Sequence, residues 1–130
     1  MKKRVLVVDD AEINRILLID MLERDGWEAE EAVDGTDALS MLHGEHGFNL
    51  VMLDIKMPGM SGEEVCCSLR SDPRNAALPL VAYTAHALEE EWDSLHAIGF
   101  DAILTKPINM AALKESLTKA FKAHGFSVPE

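Results

Sequence analysis

Short apolar runs and amphipathic helical stripes alternate from one end of this chain to the other, and few architectures accept that pattern. Val5-Leu6-Val7-Val8 runs into Asp9-Asp10, and Phe48-Asn49-Leu50-Val51-Met52-Leu53 closes at Asp54. Leu80-Val81-Ala82-Tyr83 runs into Thr84, and Ala102-Ile103-Leu104-Thr105 into Lys106. A weaker, half-polar run from Trp27 to Val33 fits the edge of a sheet. Between the runs, Ile13, Ile16, Leu17, Leu18, Met21 and Leu22 recur at helical spacing, and Gly26 stops that helix in a left-handed cap. Thr36 is placed to cap a short helix reaching about His43. Ser61-Gly62-Glu63-Glu64 has capping-box spacing and opens a helix to about Arg70. Asp72-Pro73-Arg74-Asn75 breaks the chain before the fourth strand. A helix from about Leu88 to Ile98 ends at Gly99, and Asn109 caps a last helix through about His124, ended by Gly125. Five strands and five helices in strict alternation predict an α/β fold, a doubly wound parallel sheet with right-handed crossovers.

In such a sheet ligands bind beyond the carboxyl ends of the strands. That is where Asp9, Asp10, Asp54, Thr84 and Lys106 fall. A carboxylate at the end of an apolar strand is costly unless something there requires a charge. Three carboxylates about 5 Å apart repel by roughly 3 kcal/mol per pair at an effective dielectric of about 20. Such a cluster needs compensation, and hard oxygen ligands suit a cation such as Mg²⁺, which takes one or two carboxylates, keeps waters and engages phosphate. Lys106 adds a fixed positive charge and Thr84 a small hydroxyl donor. The set fits phosphoryl transfer, in which positioning and charge neutralisation carry the catalysis. A carboxylate held by metal and lysine can itself be the nucleophile.

The quoted motifs, Val7-Val8-Asp9-Asp10, Leu53 to Gly62 with its Lys56-Met57-Pro58-Gly59 loop, Thr84-Ala85 and Lys106-Pro107, together resemble the receiver domain of two-component response regulators. The resemblance runs in order over essentially the whole chain. It implies a flavodoxin-like (βα)5 three-layer sandwich with strand order 2-1-3-4-5 over residues 1–125, with 126–130 a tail or the start of a linker. It further implies that Asp54 accepts a phosphoryl group from a histidine kinase or a histidine phosphotransfer protein. Asp10, Asp54 and the backbone carbonyl of Lys56 would ligate Mg²⁺ (Mn²⁺ being an alternative), with Asp9 acting through water. Thr84 and Lys106 would contact the phosphoryl oxygens, while Lys56 and His86 would tune the lifetime of the phosphate. Glu12-Ile13-Asn14-Arg15 and Thr84-Ala85-His86-Ala87 look more like receivers of hybrid sensor kinases and phosphorelays. Ile103 departs from chemotaxis-type receivers, many of which carry an aromatic switch three residues before the lysine. The phosphorylation signal is therefore expected in the Thr84–Glu90 loop. It should reach an effector through the face built by residues 88–98, 102–105 and 110–124.

Composition narrows the alternatives. With 23 acidic residues against 12 Lys and Arg, the net charge is −11, which repels phosphate backbones and argues against nucleic-acid binding. No apolar stretch approaches the roughly 18 residues of a membrane span, and the basic start is too short for a signal peptide. The expected setting is the cytoplasm, as a monomer or weak dimer. Adjacent Cys66 and Cys67 form neither a CxxC nor a zinc pattern and read as one buried thiol beside a more exposed one. His43, His46, His86, His96 and His124 lack metal spacing, and Met52, Met57 and Met60 read as packing. Two rival functions remain open at this level. An aspartate-nucleophile phosphatase would also place Asp54 at a strand end, but wants an acid where Lys56 stands. A receiver-like module that binds partners without phosphorylation has no need of the intact acid, hydroxyl and lysine set.

Overall fold

The structure, a computed structural model, describes residues 3–85 and 89–129. Strands β1 (Arg4–Val8), β2 (Glu28–Ala32), β3 (Leu50–Asp54), β4 (Leu80–Thr84) and β5 (Ala102–Thr105) alternate with helices α1 (Glu12–Arg24), α2 (Gly35–Met41), α3 (Gly62–Ser71), α4 (Glu89–Ile98) and α5 (Met110–Lys122). The sheet is wholly parallel, in the order β2-β1-β3-β4-β5. The half-polar run is indeed an edge, and the most apolar strands, β1, β3 and β4, lie inside, where both faces are covered.

Because side chains alternate across a strand, the sheet divides two cores. Leu6, Val8, Val51, Leu53, Leu80 and Ala82 face one layer, with Val65, Leu69 and Leu95 from α3 and α4. Val5, Val7, Leu50, Met52, Val81 and Tyr83 face the other, with Leu18 and Leu22 from α1 and Leu113, Leu117 and Phe121 from α5. Met52 and Met57 are buried and Met60 packs against the first core. Cys66 is buried and Cys67 exposed; burial pushes the Cys66 thiol up to about 12, so it stays a packed, neutral group.

Two local expectations are corrected. Thr36 does not cap α2; Asp34 does, its carboxylate accepting from the Asp37 backbone N–H. The helix starts at Gly35, so Thr36 already lies inside its first turn, while Asp34 is the last extended residue and its carboxylate reaches the N–H of N3, as an N-cap does. The stripe on α1 is not one buried face either. Leu18 and Leu22 are buried, whereas Ile13, Ile16 and Leu17 are 63%, 52% and 59% exposed. The six apolar positions span more than one face of the helix, and the sheet can cover only one. The capping box and the N-cap read elsewhere are present: Ser61 and Glu64 cap each other at α3, and Asn109 accepts from the Ala112 N–H at α5.

Candidate functional site

Every polar strand end lies on one rim of the sheet. Val8 pairs with Leu53, and Asp54 with Tyr83, so the acids after β1 and at the end of β3 are brought side by side. Carboxylate oxygens of Asp9, Asp10 and Asp54 all lie within 4.8 Å of one another. A cleft of about 230 Å³ is lined by these three acids with Asn14, Lys56, Thr84, Ala85 and Lys106. The Lys106 Nζ sits 3.5 Å from Asp9 Oδ2 and 3.9 Å from Asp54 Oδ1. The five residues expected to converge do so. His86 lies outside the described residues, as does Leu88 of the expected fourth helix.

The acids are not equivalent. Asp9 is fully buried, Asp54 nearly so, and Asp10 is exposed. Asp10 is not the N-cap of α1: Ala11 holds that position and makes no side-chain cap, and the exposed Asp10 lines the cleft. Asp9 accepts at Oδ1 from the Ala11 N–H at 2.9 Å and at Oδ2 from the Tyr83 hydroxyl at 3.0 Å. Burial alone would raise its pKa, but those two donors and Lys106 hold it below the usual carboxylate range. Asp54 moves the other way, to about 6, through burial first and the Asp9 charge second; Lys106 and the Lys56 backbone N–H offset only part of this. One carboxylate of the pair is thus kept anionic and the other is made reluctant to ionise, the arrangement expected of interacting acids. An added cation would relieve it.

The β3–α3 loop is shaped to leave this room. Gly59 has φ +76°, a left-handed conformation that favours glycine. At Gly62 a Cβ would lie 2.3 Å from the Asp54 carbonyl oxygen, so only glycine lets the start of α3 close on the strand end. The Gly62 N–H donates to the Ile55 carbonyl at 3.0 Å.

Three contributors were not assigned to the site from the sequence. Asn14 lines the cleft and adds to the hydrogen bonding of Asp9. Arg15 is buried on α1, where its Nη1 donates to the Asp9 backbone carbonyl at 2.8 Å and its Nε to Glu31 Oε1 at 2.7 Å. Tyr83, read as part of an apolar run, is buried with its hydroxyl on Asp9. A phenol among aliphatic residues one position before Thr84 was the available signal, since a buried Tyr hydroxyl needs a partner. Beside the cleft, a groove of about 530 Å³ runs between α1 and the β5–α5 loop, lined by Leu17, Leu18, Met21, Tyr83, Pro107 and Ile108.

A family model described as the response regulator receiver domain matches residues 5–118. The chain is 39% identical over 114 residues to the sensor histidine kinase RcsC of Escherichia coli K12, covering 88% of this chain and 12% of that protein. It is 32% identical over 117 residues to the polar-differentiation response regulator DivK of Brucella anthropi, covering 90% of this chain and 94% of that one. Among solved structures it resembles the response regulator TrrA of Thermotoga maritima, with 34% identity and a TM-score of 0.77 over 91% of this chain and 98% of that one. The chain therefore spans a small part of some relatives and nearly the whole of others.

Proposed function

The chain belongs to the response regulator receiver domain family of two-component signalling, and on that premise we propose that Asp54 is its phosphoacceptor. The observation that carries this reading is the split between Asp9 and Asp54. The buried Asp54 carboxylate is destabilised as an anion by its neighbour, lies 3.9 Å from Lys106, and opens on a cleft with room for a phosphoryl group. Asp54 would attack the phosphorus of a phosphohistidine. The O–P bond forms as the N–P bond breaks, and the imidazole leaves with the electron pair and takes up a proton. Lys106 neutralises charge on the phosphoryl oxygens, and the Thr84 hydroxyl donates to one of them.

Asp10, Asp54 and the backbone carbonyl of Lys56 would hold Mg²⁺, with Mn²⁺ as a substitute. Such an ion supplies charge neutralisation between carboxylates and phosphoryl oxygens. Both Asp9 oxygens already accept from protein donors, which suits an acid acting through water. TrrA was solved in complex with Mg(2+)-BeF, and the acid set here suits the same kind of group. Lys56 is exposed beside the cleft, where its side chain would influence how long the phosphate lasts; the same role is carried over for His86.

The donor is a histidine kinase or histidine phosphotransfer protein. Exposed Leu17 lines the groove next to Lys106, and Ile13 and Ile16 are exposed on the same helix; apolar exposure of this kind marks a protein interface and would dock that donor. The effector reads the face of α4, β5 and α5. Among the described residues no helix is long and apolar enough to cross a membrane, and the proposed setting of this domain is the cytoplasm. Incubation with acetyl phosphate and Mg²⁺ tests the reading: one phosphoryl group per chain is expected, absent in Asp54→Ala. Catalytic turnover without stable label, or label retained in the variant, would sink it.

A further inference from the structure

We propose that Tyr83 is a positioning residue for phosphoryl transfer, whose hydroxyl holds Asp9 away from direct metal ligation and whose ring carries Lys106. This inference rests on the functional reading above. Tyr83 is fully buried on β4, in register with Asp54. Its side chain passes beneath β3 and reaches the end of β1, where the hydroxyl lies 3.0 Å from Asp9 Oδ2 and 3.3 Å from the Val8 carbonyl. A phenol has one proton to donate, and the shorter contact to an anion is the stronger. The Lys106 Nζ stands 4.9 Å from the centroid of the same ring, within the range of a cation–π contact. One side chain thus touches both the buried anion and the cation that the incoming phosphoryl group must recruit.

The consequence follows from how many donors Asp9 has. Oδ1 is taken by Ala11, and Oδ2 is shared by Tyr83 and Lys106. While Tyr83 satisfies Oδ2, the ammonium at 3.5 Å is only loosely engaged and can turn to a phosphoryl oxygen. Without the phenol proton, Lys106 is the charged donor left beside Oδ2, with the Asn14 side chain as the other side-chain hydrogen-bond partner of Asp9, and the ammonium is drawn onto the carboxylate. That oxygen also becomes available to a metal.

Tyr83→Phe removes the proton and keeps the ring; Tyr83→Leu removes both. In Tyr83→Phe the rate of labelling by acetyl phosphate at saturating Mg²⁺ should fall about tenfold, roughly the loss of one hydrogen bond to a charged group. The Mg²⁺ midpoint of the unphosphorylated protein, followed by amide NMR shifts, should move the opposite way, to about threefold lower concentration or less. Lost packing gives no such opposition. The Lys106 ε-methylene protons should lie upfield in the unmodified protein and in Tyr83→Phe, and return to ordinary positions in Tyr83→Leu. A rate within twofold of the parent, a midpoint that is unchanged or weaker, or Lys106 protons at ordinary positions in the parent would overturn the assignment. The midpoint and the Lys106 shifts are read without phosphorylation. A parent protein that takes no label would therefore defeat the functional reading and leave the placement of Tyr83 to be judged by those two measurements.

Discussion

The two ends of the sheet treat charge in opposite ways. At the amino end, Arg70 donates to the carbonyls of Gly99, Asn75 and Leu78 and to Asp101 Oδ2 at 2.9 Å. Asp101 also accepts from the Leu80 N–H, and its Oδ1 lies 3.0 Å from His124 Nε2. Nearby, Arg4 pairs with Glu30 and donates to the His46 carbonyl, and Asp25 lies between Lys3 and Lys114. Each of these charges meets opposite charge or carbonyl oxygen. At the carboxyl end three acids cluster and Lys106 reaches two of them, Asp9 and Asp54, while Arg15 is engaged from below by Glu31 and a backbone carbonyl. A saturated network ties elements together and has nothing left to offer a ligand. An undersaturated one costs stability and keeps its chemistry available, as functional sites do.

Breaking the saturated end should give the largest effect on folding. Arg70→Met takes the guanidinium from Asp101, which keeps the Leu80 N–H and His124, and from the carbonyls of Gly99, Asn75, Ala76 and Leu78; removing one partner of a buried pair costs about 3 kcal/mol or more. Urea unfolding should show that loss, while labelling of the folded fraction stays at one per chain. A comparable loss of labelling per folded molecule would mean that the two ends are not separable. At the other end, Asp10→Ala should weaken Mg²⁺ binding by at least about tenfold, on the order of one charge-assisted ligand, and barely alter unfolding. Unchanged Mg²⁺ shifts in an NMR titration would remove Asp10 from the site.

A smaller effect has the opposite sign and sharpens the contrast. Asp54 has a folded pKa of about 6 against an ordinary 3.8, so between those values the native state binds more protons than the unfolded chain. Its share of stability is present at pH 3.8 and below and is lost as pH rises through 6. In Mg²⁺-free buffer at pH 7.5, Asp54→Asn should therefore stabilise the protein by about 1–3 kcal/mol. The difference between parent and variant should shrink towards pH 4. A variant equally stable at pH 7.5 would show that Asp54 bears no such strain. Added Mg²⁺ should narrow the gap by stabilising the parent alone.

The smallest effects concern how the site is read. Ile103 is half-buried against the first core and has no polar tip, so Ile103→Val should cost about 1 kcal/mol and leave effector binding unchanged. Thr84→Ala should leave labelling measurable and uncouple it from effector binding, because on the proposed reading the hydroxyl would link phosphoryl group and loop. Amide shifts on adding beryllofluoride check both. Changes centred on the Ile103 methyls, with the amides around Thr84 unmoved, would reverse the assignment.

The alternation of elements, the parallel sheet and the capping of α3 and α5 were legible because each rests on short-range chemistry: a strand period, a helix period, a hydroxyl or amide three residues before an N–H. Asp9, Asp10, Asp54, Thr84 and Lys106 were legible for a related reason. Polar residues ending apolar strands must share a rim once the strands are parallel. The cap of α2 was misplaced at Thr36 because Asp34 and Thr36 are both good caps, and only the geometry of the chain arriving from β2 selects between them.

Other properties had no local signature. Which side of α1 faces the sheet is decided by packing against β1 and β2, so Ile13 and Leu22 look alike in the sequence and differ in the fold. The bond from Tyr83 to Asp9 joins β4 to the end of β1 across an intervening strand, and the Arg70 network joins α3 to the start of β5. Both acids are buried and both feel Lys106; their opposite pKa directions depend on Asp9 being the one that receives Ala11 and Tyr83 as donors. The residue types, and so the chemistry available, were determined by the sequence itself. How that chemistry is divided among three identical carboxylates was decided by tertiary structure, because electric fields and hydrogen bonds act through space between residues far apart in the chain.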